Sequence, residues 1–118
     1  MKAARKIFTM GPRYLVIKKG EHGALLFHEH DVFFAPALPL LEVQDPTGAG
    51  DTFAGGFMGY LAYTDDVSFA NMKRALVFGS AMASFCVEAF SLERLQGITE
   101  QELVDRVHQF RNLVRFEI

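Results

Sequence analysis

The stretch DPTGAGDTF, residues 45–53, constrains the fold of this chain more than any other. It places two glycines around an alanine, between an extended apolar segment and a segment with helical spacing. A glycine-rich turn between a strand and a helix directs backbone N–H groups toward one point, and the helix N-terminus adds partial positive charge there. Such a turn suits an anion, most often phosphate. Gly48, Ala49, Gly50 and Asp51 would supply the N–H groups.

Asp51 gives the turn a second chemical feature. A phosphate repels a neighbouring carboxylate, so a site that only bound phosphate would avoid one. A site that transferred a phosphoryl group would use it, because the attacking hydroxyl must lose a proton that an aspartate accepts. The backbone N–H groups would stabilise charge on the moving phosphoryl group. The simpler alternative is a strand-to-helix turn in which Asp51 only caps the helix, and the residues alone leave both interpretations open.

Hydrophobic periodicity predicts strands before the turn and helices after it, an α/β pattern. Residues 2–9 have the spacing of a helix end, and RYLVIK at 13–18 has the β-branched, apolar composition of a buried strand. The segments ALLFH and DVFFAP flank the polar tripeptide HEH and predict a β-hairpin or two edge strands. LPLLEVQ is a shorter extended segment that leads into the glycine turn.

Three helices are predicted after the turn. The first begins with Asp51 as its cap, the second opens at Ser68, and the capping box TEQE at 99–102 opens the third. Each glycine inside a helix costs about 1 kcal/mol relative to alanine, so several together indicate that another backbone packs close to the helix. The first helix contains three such residues, Gly55, Gly56 and Gly59, and the second is rich in small residues that include Gly79.

Composition excludes several classes of function. With 118 residues and 50% hydrophobic residues, the chain can bury the core of one small domain. A net charge of −2 provides no electrostatic footprint for nucleic acid, and no apolar run is long enough to span a membrane. The single cysteine, Cys86, cannot form a disulfide within the chain, and no secretory signal begins the sequence. We therefore expect a cytoplasmic protein.

Two motifs resemble the ribokinase-like, or PfkB-type, carbohydrate kinases. DPTGAGDTFAGGF resembles the C-terminal signature of that family, D-T-x-G-A-G-D-x-F, in which proline is common at the second position. YLVIKKGEHGALLF resembles the preceding family segment, a strand that ends in a glycine turn near the nucleotide. The resemblance implies the C-terminal part of a three-layer α/β/α domain, with few strands and about four helices. Residues 1–118 would form its nucleotide-binding and catalytic-base part, without the N-terminal substrate and lid half.

The resemblance also implies a role for each residue of the glycine turn. Asp51 matches the catalytic base that activates a sugar hydroxyl, and Gly48, Ala49 and Gly50 match the anion hole for the γ-phosphate. The segment 78–82 would lie near the adenine of the nucleotide. The implied activity is ATP-dependent phosphoryl transfer to a hydroxyl of a sugar or nucleoside.

Further ligand-binding positions follow from the same resemblance. Lys19, Gly20 and Gly23 match a turn beside the nucleotide. Asp45 and Thr47 lie where many members of the family hold a monovalent cation, often K⁺. ATP is the implied phosphoryl donor, and Mg²⁺ would arrive with it. The implied partners are the nucleotide and a sugar or nucleoside, with no nucleic acid and no membrane.

Two other functional hypotheses remain open at this point. Because the residues that hold the acceptor in the family would lie in the absent half, the isolated chain is expected to be nearly inactive. It would then be a non-catalytic nucleotide- or anion-binding fragment. Alternatively, it is a remnant that self-associates through exposed apolar surface, as a homo-oligomer.

Two polar groups have a functional and a structural interpretation. In the tripeptide of His28, Glu29 and His30, the two histidines could bind a metal ion, but no third ligand is evident, and a solvated hairpin tip is the simpler interpretation. Lys19 is either a solvated strand end or a phosphate ligand, and its position supports both equally.

Overall fold

The computed structural model describes residues 6–7, 11, 13–19, 23–37, 49–88 and 98–115. In this part of the chain, three strands precede three long helices, and residues 6–7 are also helical. The chain divides into two compact units, Met1–Ala37 and Leu38–Ile118. The strands are β1 (Leu15–Lys18), β2 (Ala24–His28) and β3 (Asp31–Ala35), and the helices are α1 (Ala49–Thr64), α2 (Phe69–Glu88) and α3 (Glu100–Val114).

The three strands form an antiparallel sheet in the order β1-β2-β3. Leu15 pairs with Phe27 in the first ladder, and His28 pairs with Asp31 in the second. Only two residues therefore connect β2 to β3, and Glu29, with φ 45°, adopts the left-handed conformation that tight hairpin turns require. This confirms the predicted hairpin. The segment LPLLEVQ lies outside the described residues.

Both faces of this sheet are apolar apart from Lys18, His28 and Asp31, which lie at the strand ends of one face. Since side chains alternate along a strand, the register places two sets of residues on opposite faces. A sheet with two apolar faces is typical of the middle layer of an α/β fold. One face carries Leu15, Ile17, Leu25, Phe27, Val32 and Phe34, and the other carries Val16, Ala24, Leu26, Phe33 and Ala35.

Gly23 closes the turn between β1 and β2. The backbone N–H of Lys19 donates to the carbonyl oxygen of Gly23 at 2.7 Å. Gly23 has φ 93°, and a Cβ at this position would overlap the carbonyl oxygen of Ala35 and lie 3.0 Å from the Phe34 ring. The position therefore requires glycine for its backbone conformation and for the space around it.

The α2 and α3 helices begin where the sequence predicts. The hydroxyl of Ser68 accepts the backbone N–H of Asn71 at 3.2 Å, just before α2. Thr99 caps α3 with both halves of a capping box, since its hydroxyl accepts the N–H of Glu102 at 3.1 Å while the Glu102 carboxylate accepts the Thr99 N–H. A local side-chain to backbone bond thus satisfies one of the free N–H groups at the start of each of these two helices.

The start of α1 differs from the prediction. The helix begins at Ala49, so Asp51 lies inside its first turn and is not its cap. Alanine has the highest helix propensity, which favours inclusion of Ala49 in the helix. A carboxylate in the first turn is also stabilised by the helix dipole. The glycine turn thus passes into the helix before Asp51 is reached.

The contact between α1 and α2 brings two helix backbones together. A Cβ on Gly79 would lie 2.8 Å from the carbonyl oxygen of Phe53, and one on Gly56 would lie 3.1 Å from Cα of Gly79. Close packing is therefore confirmed for Gly56 and Gly79. The prediction of close packing is wrong for Gly55 and Gly59, where no described atom comes within 4 Å of such a Cβ. These two residues lie on another face of α1.

The α2 helix is the middle element of its unit, because it packs against both α1 and α3. Its buried residues include Ala75, Leu76 and Ala81. On the α3 side, the Arg106 guanidinium donates to the Ser84 hydroxyl at 2.8 Å and lies 4.0 Å from the centre of the Phe85 ring. No helix among the described residues is both long enough and apolar enough to cross a membrane.

A buried amide organises the connection between α1 and α2. Asn71 is only 3% exposed, and its Nδ2 donates to the Thr64 hydroxyl at 2.7 Å and to the Asp66 carbonyl at 2.8 Å. The Asp66 carboxylate accepts the backbone N–H of Ser68 at 2.9 Å, and this bond lowers the pKa of Asp66. The connection is therefore closed by hydrogen bonds that span both helix ends.

We expect Gly23→Ala to destabilise the unit Met1–Ala37 more than Gly11→Ala does. Both glycines have positive φ, at 93° and 119°, but no atom of the described residues lies within 4 Å of a Cβ at Gly11. The positive φ costs each alanine variant roughly 1–2 kcal/mol, and the overlap with Ala35 adds to that cost only at residue 23. Urea unfolding followed by circular dichroism measures both variants. Equal losses would show that the overlap is relieved without cost.

Candidate functional site

The first turn of α1 carries the described part of the predicted phosphate site. Ala49, Gly50 and Asp51 are its first three residues. The N–H groups at the start of an α-helix have no acceptor within the helix, so those of these three residues have no partner inside α1. Gly50 and Asp51 are exposed to solvent, and Ala49 is partly exposed. The turn therefore presents a carboxylate and N–H groups without a partner inside α1 at an accessible helix N-terminus.

Asp51 is the only charged residue of the 16-residue helix α1. The rest of the helix is apolar, small or uncharged, and Phe53, two residues further on, is buried. The carboxylate is thus held at the exposed end of an element whose other contacts are hydrophobic. A single charge in this position can accept a proton from a ligand that occupies the helix N-terminus.

The structure brings together only part of the predicted site. The described residues Ala49, Gly50 and Asp51 share one turn. The other residues of the predicted anion hole and cation site lie outside the described part of the chain, as does one of the predicted nucleotide residues. These are Gly48, Asp45, Thr47 and Gly20.

The predicted nucleotide turn belongs to the other unit, Met1–Ala37. The Lys19 to Gly23 hydrogen bond closes it, and the Lys19 side chain is exposed. The side chain of its neighbour Lys18 is also exposed to solvent. Partial desolvation by the surrounding residues nevertheless lowers the pKa of Lys18. The turn thus presents two cationic side chains next to a glycine whose conformation no other residue adopts easily.

The HEH tripeptide forms the end of the hairpin. His28 stacks on Tyr14, with ring centroids 4.4 Å apart and an interplanar angle of 21°. Glu29 and His30 make the exposed turn. Within the described ranges, no group of three or more histidine, cysteine, aspartate or glutamate side chains could hold a metal ion. His28 therefore has a packing role at this position.

A packed layer lies directly behind the turn that carries Asp51. The Phe53 side chain is buried, and its ring lies 6.1 Å from that of Phe57 in a stacked pair. A Cβ on Gly79 would lie 3.3 Å from the Phe53 ring, so α2 supports the first turn of α1 through this residue. The sequence indicated close packing at Gly79 but did not identify its partner, because contacts between helices leave no local pattern.

The family model of the pfkB family carbohydrate kinases matches residues 1–96 of the chain. A nucleoside kinase from Methanothermobacter thermautotrophicus is 42% identical over 79 residues, which are 67% of this chain and 23% of that protein. The relative is thus much longer than the chain, and the similarity concerns a limited part of it.

Two solved structures resemble the chain over most of its length. An aminoimidazole riboside kinase from Salmonella enterica, complexed with aminoimidazole riboside and an ATP analogue, has a TM-score of 0.75 and 28% identity. Arabidopsis thaliana ribokinase, complexed with ribose and ATP, has a TM-score of 0.72 and 26% identity. The matches cover 90% of this chain in both cases, but only 35% and 32% of the two kinases. The α/β fold expected from the sequence is confirmed, and the chain belongs to the pfkB family of carbohydrate kinases.

Proposed function

We propose that this chain provides the phosphate site and the general base of a kinase that transfers the γ-phosphoryl group of ATP to a hydroxyl of a sugar or nucleoside. The observation that carries the proposal is the shared turn at the start of α1. There the N–H groups of Ala49 and Gly50, which have no partner inside the helix, share the first turn with the exposed carboxylate of Asp51. Family membership and the similarity to kinases complexed with ATP or its analogue support the same chemistry.

The proposed reaction uses each group of the turn once. The acceptor hydroxyl attacks the γ-phosphorus, the bond from phosphorus to the β,γ-bridging oxygen breaks, and ADP leaves. Asp51 accepts the proton of the hydroxyl as the new O–P bond forms. The N–H groups of Gly48, Ala49 and Gly50 donate to the oxygens of the transferring phosphoryl group and stabilise its charge. Backbone dipoles thus replace the lysine found in other phosphate-binding turns.

Nucleotide and cation binding complete the proposal. Lys19, Gly20 and Gly23 would form the turn beside the nucleotide. Mg²⁺ would arrive with ATP and neutralise phosphate charge, and it would keep most of its coordination by phosphate oxygens and water. A monovalent cation such as K⁺ suits the oxygen atoms that Asp45 and Thr47 supply. This chain's own contribution is the orientation of the phosphate groups and the removal of one proton.

We propose that the acceptor is a pentose or a nucleoside and that other parts of the family fold bind it. The names of the similar proteins, a nucleoside kinase, an aminoimidazole riboside kinase and a ribokinase, support this class. The chain spans 23% of the first of these proteins and about a third of the other two, at 35% and 32%. The isolated chain would therefore transfer phosphate slowly, because it lacks most of the groups that orient an acceptor.

We expect the purified chain to bind MgATP saturably, and Gly50→Val to weaken this binding. A branched side chain at residue 50 would obstruct the approach of phosphate to the N–H groups. Gly59→Val is the matched control, because it introduces the same side chain into α1 where no described atom lies within 4 Å of a Cβ. Calorimetric titrations with and without K⁺ measure the affinities. Equal affinities for both variants would contradict a phosphate site at the glycine turn.

Asp51→Asn distinguishes a catalytic base from a helix-stabilising residue. The amide has the shape of the carboxylate but cannot accept the proton, so we expect phosphoryl transfer to fall by roughly 100-fold or more. Affinity for MgATP should be retained or rise, since a repulsive charge near phosphate is removed. Transfer of phosphate from radiolabelled ATP to ribose and to nucleosides, at high protein concentration, measures the rate. An unchanged rate in the variant would contradict the assigned role.

The exposed apolar residues favour self-association as a second candidate behaviour. Met58 is 61% exposed and Tyr63 is 91% exposed, both on α1, and Val67 in the following connection is 65% exposed. Large apolar side chains that remain exposed to water can mark an interface.

We expect the mean mass of the chain, measured by light scattering, to rise with concentration. The double variant Met58→Gln, Tyr63→Gln should shift this rise to higher concentration, because it removes apolar area from the surface. A monomer at all concentrations would exclude self-association. His108→Gln, on an exposed position of α3, is the control.

A further inference from the structure

The proposed catalytic turn is supported by an unusually close contact with α2. Gly79 is buried, and a Cβ at its position would meet three atoms of α1. The carbonyl oxygen of Phe53 would lie at 2.8 Å, the backbone nitrogen of Phe57 at 3.2 Å, and the Phe53 ring at 3.3 Å. In an α-helix the N–H of residue 57 donates to the carbonyl of residue 53. Gly79 therefore lies directly over one backbone hydrogen bond of α1.

Gly56 makes the contact reciprocal. A Cβ on Gly56 would lie 3.1 Å from Cα of Gly79 and 3.2 Å from Cγ of Met82. The two helix backbones therefore meet at a pair of glycines, which have no side chains that could adjust to a change in the spacing of the helices. Gly55 and Gly59 show that this is specific to one face, since no described atom lies within 4 Å of a Cβ on either.

We propose that Gly79 is a positioning residue for the phosphate-binding turn, an inference that rests on the proposed function. Ordinary contacts begin at about 3.4 Å, so an alanine methyl 2.8 Å from the Phe53 oxygen would move α1 by about 0.6 Å. Phe53 is two residues from Asp51 in the same helix. Since an α-helix is stiff over one turn, the displacement reaches the N–H groups of Ala49 and Gly50.

A displacement of this size matters for phosphate chemistry. Hydrogen bonds from N–H groups to oxygen occupy a range of only about 0.5 Å, from roughly 2.7 to 3.2 Å. A misplacement of about 1 Å can reduce a catalysed rate by roughly 100-fold. Gly79 does not reach the ligand itself, because α1 fills the space over its α-carbon. Its effect on phosphate must therefore pass through the position of α1.

The test compares the same substitution at three glycines in the full 118-residue chain labelled with ¹⁵N. We expect the amide resonances of Ala49, Gly50 and Asp51 to move most in Gly79→Ala, less in Gly56→Ala and least in Gly59→Ala. The milder Gly56 variant keeps the test valid where Gly79→Ala does not fold. Phe110→Leu is the control for stability, because it weakens the buried core at α3, the helix that packs against α2 on the side of Ser84 and Phe85.

Titration of each variant with MgATP separates the two proposals. We expect Gly79→Ala to bind MgATP about tenfold more weakly than the unaltered chain, because its displacement of about 0.6 Å is smaller than the misplacement of about 1 Å that costs roughly 100-fold. We expect Gly59→Ala to bind MgATP as tightly as the unaltered chain does. Resonances at residues 49–51 that stay in place in Gly79→Ala, or that move equally in Phe110→Leu, would overturn the positioning role. Failure of the unaltered chain to bind MgATP would instead overturn the proposed function, while the resonances would still decide the role of Gly79.

Discussion

The close approach of α1 and α2 is the constraint on which the functional end of this chain depends. At Gly56 and Gly79 the two backbones are separated by contacts that hardly permit an added methyl group. Side chains can adjust to small changes in spacing through their rotamers, but backbone atoms in a helix cannot. Two rigid elements in direct backbone contact therefore define each other's position. That position is transmitted along α1 to its exposed N-terminal turn, which carries Asp51.

The charge distribution of α1 complements this mechanical arrangement. The helix places its only charge in the first turn, where the dipole favours an anion, and buries Phe53 and Leu61. An acidic group at this end competes with a phosphate for the same positive potential. In a site that only bound phosphate, that competition would lower the affinity for phosphate and serve no purpose. It becomes useful where a proton has to leave a hydroxyl next to the phosphate, which is why the combination indicates transfer chemistry.

Features set by neighbours in the chain could be predicted, and features set by distant contacts could not. The hairpin around Glu29 and His30 and the helix caps at Ser68 and Thr99 depend on bonds that span at most a few residues, and they were correct. The sequence predicts close packing for Gly55, Gly56 and Gly59 alike, although within the described part of the chain only Gly56 meets another helix. The sequence shows where the glycines are, but the geometry of the contact between α1 and α2 determines which of them must lack a side chain.

The start of α1 and the connection between α1 and α2 also contain features that the local sequence does not predict. Asp51 was assigned to the cap because aspartate favours that position, but the helix includes Ala49 and Gly50 before it. Asn71 is a polar residue in a segment of predicted helix, yet its amide is buried and bonded to Thr64 and Asp66. Its partners come from the preceding helix and connection, and no local pattern distinguishes it from an exposed asparagine.

The site that the sequence predicts most directly is made largely of backbone. An anion hole needs successive N–H groups with a common direction, and one glycine turn at a helix N-terminus provides them within a few residues. Recognition of a sugar or nucleoside requires side chains with particular donors, acceptors and shapes, which different elements must bring together. A short motif can therefore identify phosphate chemistry, whereas specificity for the acceptor is distributed over the fold. In the proposed kinase, residues 45–53 supply the chemistry common to many acceptors, and the choice among acceptors belongs to other parts of the family fold.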